Sequence, residues 1–265
     1  MTLTLGTAPL GTRPPGTANY AIDGPAHRLL LTDFPRRARA TFGGETVLDT
    51  TRGHLLHESN ILPVLYVPEA DVRQDLLVPA DLSTHCPFKG DAAYWSIAVG
   101  AHTAESAVWA YPDPLPAANW LSGLQAFTFD ALDAWFDEDE PVEGHLRDPY
   151  HRVDARRSSR RVRVRVGEVV VAESARPVVV SETGLPNRVY VPLADVRSDL
   201  LTSSTSRSHC PYKGWATYWS MIDGPADVAW SYEEPFSDVA VAAGHLCFLG
   251  DDVTTEVDDA PALGS

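Results

Sequence analysis

Lysine is almost missing from this chain. Only Lys89 and Lys213 occur in 265 residues, so 19 of the 21 basic residues are arginine. Cysteine is nearly as scarce. Cys86, Cys210 and Cys247 form no CxxC pair, which argues against a disulfide framework and a structural zinc site. No run of about 18 apolar residues exists, so no membrane-spanning helix is expected. The first fifteen residues lack the basic start and apolar centre of a signal peptide, and a cytoplasmic protein with reduced thiols is expected. Positive charge is short overall: 21 basic against 36 acidic residues give a net charge of −15 and a pI near 4.9. That balance predicts neither a nucleic-acid partner nor an anionic membrane partner. Phosphate-loop, dinucleotide, nucleophile-elbow and zinc-protease signatures are absent, which excludes those chemistries. What remains is ordinary globular composition, 44% hydrophobic and 22% charged.

The chain repeats itself. Shifted by 124 residues, Arg36–Ser96 lies on Arg160–Ser220 without a gap, and 26 of the 61 positions are identical. Between Tyr66 and Ser96 the count is 19 of 31, far above chance, so the block is a duplication. Trp109–Ala110–Tyr111 then answers Trp230–Ser231–Tyr232 with three residues fewer between, and Phe127 and Phe129 are aligned with Leu246 and Phe248. Each copy is long enough for a small domain. The expected organisation is an N-terminal arm at 1–35, a first domain at 36–147, a linker at 148–159, a second domain at 160–258 and a tail at 259–265. Two copies in one chain predict an intramolecular pseudo-dimer.

Strand signals dominate. Arg160–Val166 alternates basic and apolar residues with period two, and Gly167–Glu168 turns it into Val169–Val171, a hairpin. Gly43–Gly44 does the same in the first copy. Val178–Ser181, Arg188–Val191, Tyr218–Ile222 and Val228–Tyr232 read as further strands. The four-residue spacing of Val196 and Leu200 predicts a short helix or turn at the ADVR segment. The fold class is therefore all-β with short helices: two homologous, compact, rolled-barrel domains in tandem.

The two lysines carry the sharpest functional signal, because both fall on one repeat position in a protein that otherwise uses arginine. A position that demands an ammonium suits an anion anchor, an electrophilic stabiliser or a nucleophilic amine. A buried ion pair with Asp71 or Asp75 is the structural alternative. Cys86 and Cys210 stand three residues before the lysines, close enough for an ammonium to activate a thiol, although a free cysteine is more often a small buried hydrophobe. His85 and His209 precede them, but neighbours on an extended chain point apart. One Cys and one His per copy supply too few ligands for a metal, and none is expected. Tyr66/Tyr190, Tyr94/Tyr218, Trp95/Trp219 and Trp109/Trp230 recur as candidate walls of a pocket or as core. Adjacent Tyr and Trp on a strand face opposite ways, so one of each pair belongs to the core. Asp71/Asp195 is a candidate base, lysine partner or helix cap, and Arg73/Arg197 a surface pairing residue.

The strings Y-x-P-x-x-D-V, [TS]-H-C-P-[FY]-K-G, Y-W-S and W-x-Y-x-x-P occur in both copies. They closely resemble the domain of unknown function 427 family, also labelled nucleotidyltransferase-like domain 9. The resemblance covers Arg36 to about Asp137 and Arg160 to about Asp258, and suggests a tandem bacterial member. It implies a β-tent fold of the kind found in methionine-R-sulfoxide reductases. Those relatives often hold zinc on two CxxC pairs, which this chain lacks. No activity comes with the resemblance, and no carboxylate pair spaced for catalytic magnesium supports the nucleotidyltransferase label.

Two functions remain open on these residues. One is a small-molecule-binding domain or enzyme with a Cys/Lys/Asp/aromatic site in each repeat and no cofactor that can be named. The other is a structural or interaction module in which the HCP[FY]KG segment is a folding motif.

Overall fold

The computed structural model describes residues 3–11, 17, 19 and 24–258. The tail at 259–265 and part of the N-terminal arm lie outside the described residues. The chain divides into two compact units, Met1–Tyr150 and His151–Ser265.

The first unit contains β1 (Leu29–Asp33), β2 (Ala38–Phe42), β3 (Glu45–Thr50), β4 (His54–Glu58), β5 (Ile61–Pro68), β6 (Leu77–Cys86), β7 (Gly90–Val99), β8 (His102–Ala110), β9 (Leu124–Phe127), β10 (Ala134–Asp137) and β11 (Glu140–Val142). The second contains β12 (Val153–Arg157), β13 (Val162–Val166), β14 (Val169–Ser174), β15 (Val178–Glu182), β16 (Arg188–Pro192), β17 (Leu201–Cys210), β18 (Gly214–Met221), β19 (Ala229–Tyr232), β20 (His245–Phe248) and β21 (Val253–Val257). Each unit has a seven-stranded sheet, ordered β1-β4-β5-β9-β8-β7-β6 and β12-β15-β16-β20-β19-β18-β17. Each also has a smaller sheet, β11-β10-β2-β3 and β14-β13-β21. The two large sheets match strand for strand, and the units are all-β.

The period-two signals become half-buried strands as expected. Val162, Val164 and Val166 point into the core while Arg163 faces solvent. The hairpins turn at Gly43–Gly44 and at Gly167, with positive φ at all three glycines. In the first unit the core lies between the two sheets and joins Ala38, Val47, Leu48, Leu55, Val67, Ile97 and Val108. Its counterpart in the second unit gathers Val162, Val164, Val171, Val191 and Leu246. Burial of each such aliphatic side chain stabilises the fold by about 1.5–3 kcal/mol.

The structure departs from the sequence reading at three places. Strand β1 lies within the stretch read as an arm, and β12 within the stretch read as a linker. Both are outermost strands, and β12 keeps Arg156 and Arg157 exposed, which is why it reads as a charged connection. The ADVR segment takes the short helical-turn form expected of it, as 3-10 rather than α geometry. It makes two single 3-10 turns, at Glu69–Asp71 and Gln74–Leu76, repeated at Leu193–Asp195 and Ser198–Leu200. Between them Val72 bridges Leu48 and Val196 bridges Ala172, so each valine is drawn into the core by the smaller sheet. Finally, Phe248 corresponds to Phe127 and not to Phe129, which sets Cys247 on Ala126. Each pairs across its ladder with the repeat's first tyrosine on one side and its tryptophan on the other.

Candidate functional site

The large sheet buries its second face too, and the recurring residues meet there. In the first unit the ladder runs Tyr66–Ala126–Trp109–Tyr94 across β5, β9, β8 and β7. In the second it runs Tyr190–Cys247–Trp230–Tyr218. The Trp109 indole N–H donates to the Tyr66 hydroxyl at 3.2 Å, and Trp230 does the same to Tyr190 at 3.1 Å. The row ends at β6 and β17, where the hydroxyls of Tyr94 and Thr84 are 2.9 Å apart and those of Tyr218 and Ser208 are 2.7 Å apart. Tyr66 and Tyr190 are fully buried, whereas Tyr94, Trp109, Tyr218 and Trp230 are half-buried. Cys86 and Cys210 pack into the same clusters and are also half-buried.

Trp95 and Trp219 face the other way, against the main cores, as strand alternation requires. The structure therefore separates them from the other recurring aromatics. His85 is also off the site face: it is exposed and lies 2.7 Å from Asp91. His209 sits at the equivalent register position, its ring centroid 5.0 Å from that of Trp215.

The HCP[FY]KG segment turns the chain from β6 into β7 and from β17 into β18. The Lys89 N–H donates to the Cys86 carbonyl at 3.3 Å, and the Lys213 N–H to the Cys210 carbonyl at 3.1 Å. Gly90 and Gly214 follow with φ of 107° and 102°. A Cβ there would stand 3.3 Å from the Asp113 carbonyl oxygen and 3.2 Å from that of Glu234, so glycine is required twice over. Each turn aims its lysine at a glutamate that ends β4 or β15. Lys89 Nζ lies 2.5 Å from Glu58 Oε2, and Lys213 Nζ bonds Glu182 Oε1. These side chains are buried: 11% and 10% exposed in the first pair, 13% and 8% in the second.

A histidine completes each group. His27 Nε2 is 2.8 Å from Glu58 Oε1, and His151 Nε2 is 3.5 Å from Glu182 Oε2. The aromatic residue of the turn packs on that histidine: Phe88 stacks on His27 at 3.8 Å, and the Tyr212 ring lies 4.1 Å from His151. Lys89 also sits 5.8 Å from the centroid of Tyr111. Burial pushes the Glu182 carboxyl up, but the hydrogen bond from His151 and the charge of Lys213 outweigh it and hold it down at about 2. Burial pushes the hydroxyls of Tyr66, Tyr111, Tyr190 and Tyr232 well above the usual phenol range. It pushes the Cys247 thiol up to about 12.

The lysine partner is thus a glutamate, not Asp71 or Asp75. The Asp71 carboxylate accepts from Thr50 Oγ1 at 2.6 Å and from Arg52, and Asp195 accepts from Ser174 and Arg176 in the same way. Both hold down the 3-10 turns, and neither makes a side-chain cap. Asp75 and Asp199 pair with Arg73 and Arg197 at the surface. The ammonium is directed to the glutamate, and among the described residues no sulfur–ammonium hydrogen bond supports thiol activation. Among the described residues, no three His, Cys, Asp or Glu side chains gather as a metal site.

His27, Glu58, His151 and Glu182 are missing from the residues singled out by sequence. Their signal was available, because His27/His151 and Glu58/Glu182 both obey the 124-residue shift.

A family model described as a domain of unknown function, DUF427, matches residues 30–138 and 154–259. Among curated proteins no match to the chain was found. The two matched stretches each contain the buried Glu–Lys pair and nearly all of one large sheet, and together they cover most of the chain: it belongs to the DUF427 family, with one copy in each unit.

Proposed function

We propose that each repeat is a small-molecule-binding domain. Its site is the half-buried patch formed by Cys86, Tyr94 and Trp109, closed at one end by Lys89, and by the equivalent Cys210, Tyr218, Trp230 and Lys213. One observation carries this reading. Both copies place a buried, hydrogen-bonded lysine beside a half-exposed thiol and an indole–phenol row, on the sheet face that the main core does not use. An apolar replacement of a buried ion pair is often neutral or stabilising, so stability alone does not explain why both copies keep it. Each lysine gives a single hydrogen bond to its glutamate and has two further N–H groups for a ligand's acceptor atoms. The aromatic row suits a flat apolar body. No reaction is assigned. Unpaired, sparse cysteines fit a cytoplasmic, bacterial setting.

The test is a thermal-shift screen of a metabolite library against the wild type and a Trp109→Ala/Trp230→Ala variant. Compounds that stabilise the wild type are expected to lose their effect in the variant. Equal shifts in both proteins would move the binding elsewhere.

A second reading has its own support. Lysine and glutamate in each copy are about nine-tenths buried and satisfy one another. On this reading the HCP[FY]KG turn is a clasp between β4 and β6–β7, and between β15 and β17–β18. The screen would then yield no compound whose effect depends on the aromatic row.

A further inference from the structure

The two copies differ sharply on the other face of the same hairpin. In the first copy His85 on β6 is paired across the ladder with Asp91, and the two side chains bond at 2.7 Å. In the second copy His209 is paired with Trp215. A tryptophan has taken the place of the neutralising carboxylate. Trp215 is 55% exposed, the most exposed of the large hydrophobic residues in the described structure. Its indole is flanked rather than covered: the His209 ring lies 5.0 Å away at 51°, and the Phe236 ring lies 6.3 Å from His209 at 84°.

A carboxylate follows the end of β19 at the register position opposite Trp215. Ala216 pairs with Tyr232, so the antiparallel register sets Glu233 across from Trp215, where the first copy has Pro112. Glu233 and Glu234 are both exposed, and neither makes an ion pair among the described residues. An exposed indole face edged by unpaired carboxylates, on a chain of net charge −15, is complementary to an organic cation. A neutral apolar partner would leave those carboxylates desolvated.

We infer that the second repeat carries a cation-binding site on Trp215, flanked by His209, on which Phe236 packs, and charged by Glu233, which takes an ammonium or guanidinium head group. It lies on the opposite strand face from Cys210 and Tyr218, so it is separate from the site proposed above. The head group has two chemical sources, a free organic amine or a Lys or Arg side chain of another protein. The first repeat, with Asp91 in place of Trp215, has no such site.

The experiment is a titration of the full chain, with its indole N–H signals followed by NMR. One arm uses choline, one a short Arg-containing peptide amide, and one the neutral carbon isostere of choline. A saturable shift of the Trp215 signal with choline, with the peptide, or with both is expected, in the millimolar range. The isostere should leave it unmoved. Glu233→Gln should weaken the affinity about threefold, as removing an exposed cation–carboxylate contact implies. Trp215→Ala, read by saturation transfer to the choline methyl or peptide signals, should abolish it with an unchanged melting temperature, since the side chain is mostly in solvent. Choline alone would identify a free amine as the source, and the peptide a protein side chain. No shift with either cation, or an equal shift with the neutral isostere, would overturn the inference.

Discussion

Lys213→Met removes the ammonium and nearly keeps the side-chain length. It leaves Glu182 buried, 8% exposed, with the His151 ring nitrogen at 3.5 Å as its remaining polar neighbour. Breaking a buried pair on one side costs about 3–5 kcal/mol. The carboxyl itself shows the scale of the stabilisation: it is held at about 2 against its ordinary 4.5, a difference worth about 3 kcal/mol at neutral pH that Lys213 shares with His151. In a domain of this size such a loss lowers the melting temperature by at least about 12 °C. Because the folded carboxyl is depressed, its contribution is present above pH 4.5 and disappears as pH falls from 4.5 toward 2. Scanning calorimetry should therefore find the wild type and Lys213→Met far apart at pH 7 and converging in acid. Lys213→Met/Glu182→Leu should recover most of the loss, since it strands no carboxylate. A single variant melting within about 2 °C of wild type at pH 7 would refute the reasoning.

Alkylation of the native protein with iodoacetamide should modify Cys86 and Cys210 and spare Cys247, which reacts only on unfolding, as peptide mass spectrometry would show. Gly90→Ala and Gly214→Ala each force a Cβ against a carbonyl oxygen at positive φ, and denaturant melts should record a loss of about 1–3 kcal/mol. Trp95→Ala should cost about 3–5 kcal/mol because its ring packs on the main core, whereas Trp109→Phe, losing one hydrogen bond to Tyr66, should cost about 1 kcal/mol.

Much of this architecture is written in local patterns. Alternation in Arg160–Val166 and the glycine turns beside it give the hairpins directly, and the Tyr94–Trp95 dipeptide sorts itself onto two faces by strand geometry alone. The 124-residue shift names the lysines and cysteines. The lysine's partner is harder to read, because Glu58 is 31 residues away and the pairing depends on the HCP[FY]KG turn reaching the end of β4. The four-residue spacing of Asp71 and Asp75 would set both on one face of an α-helix. The 3-10 turns instead send Asp71 to Thr50 and Arg52, and Asp75 to Arg73. Cys247 was misplaced because few identities survive beyond Tyr232, where ladder register alone decides which residue answers Ala126.

The binding-site claim is tested most directly by ligand protection of the two half-buried thiols. Compounds that stabilise the wild type would be added before iodoacetamide, and the alkylation rates of Cys86 and Cys210 followed by mass spectrometry. A ligand seated on the indole–phenol row and reaching the lysine covers the thiol beside it, so both rates should fall at saturating compound. Unchanged rates at both cysteines, with every stabilising compound, would contradict a binding site on this face.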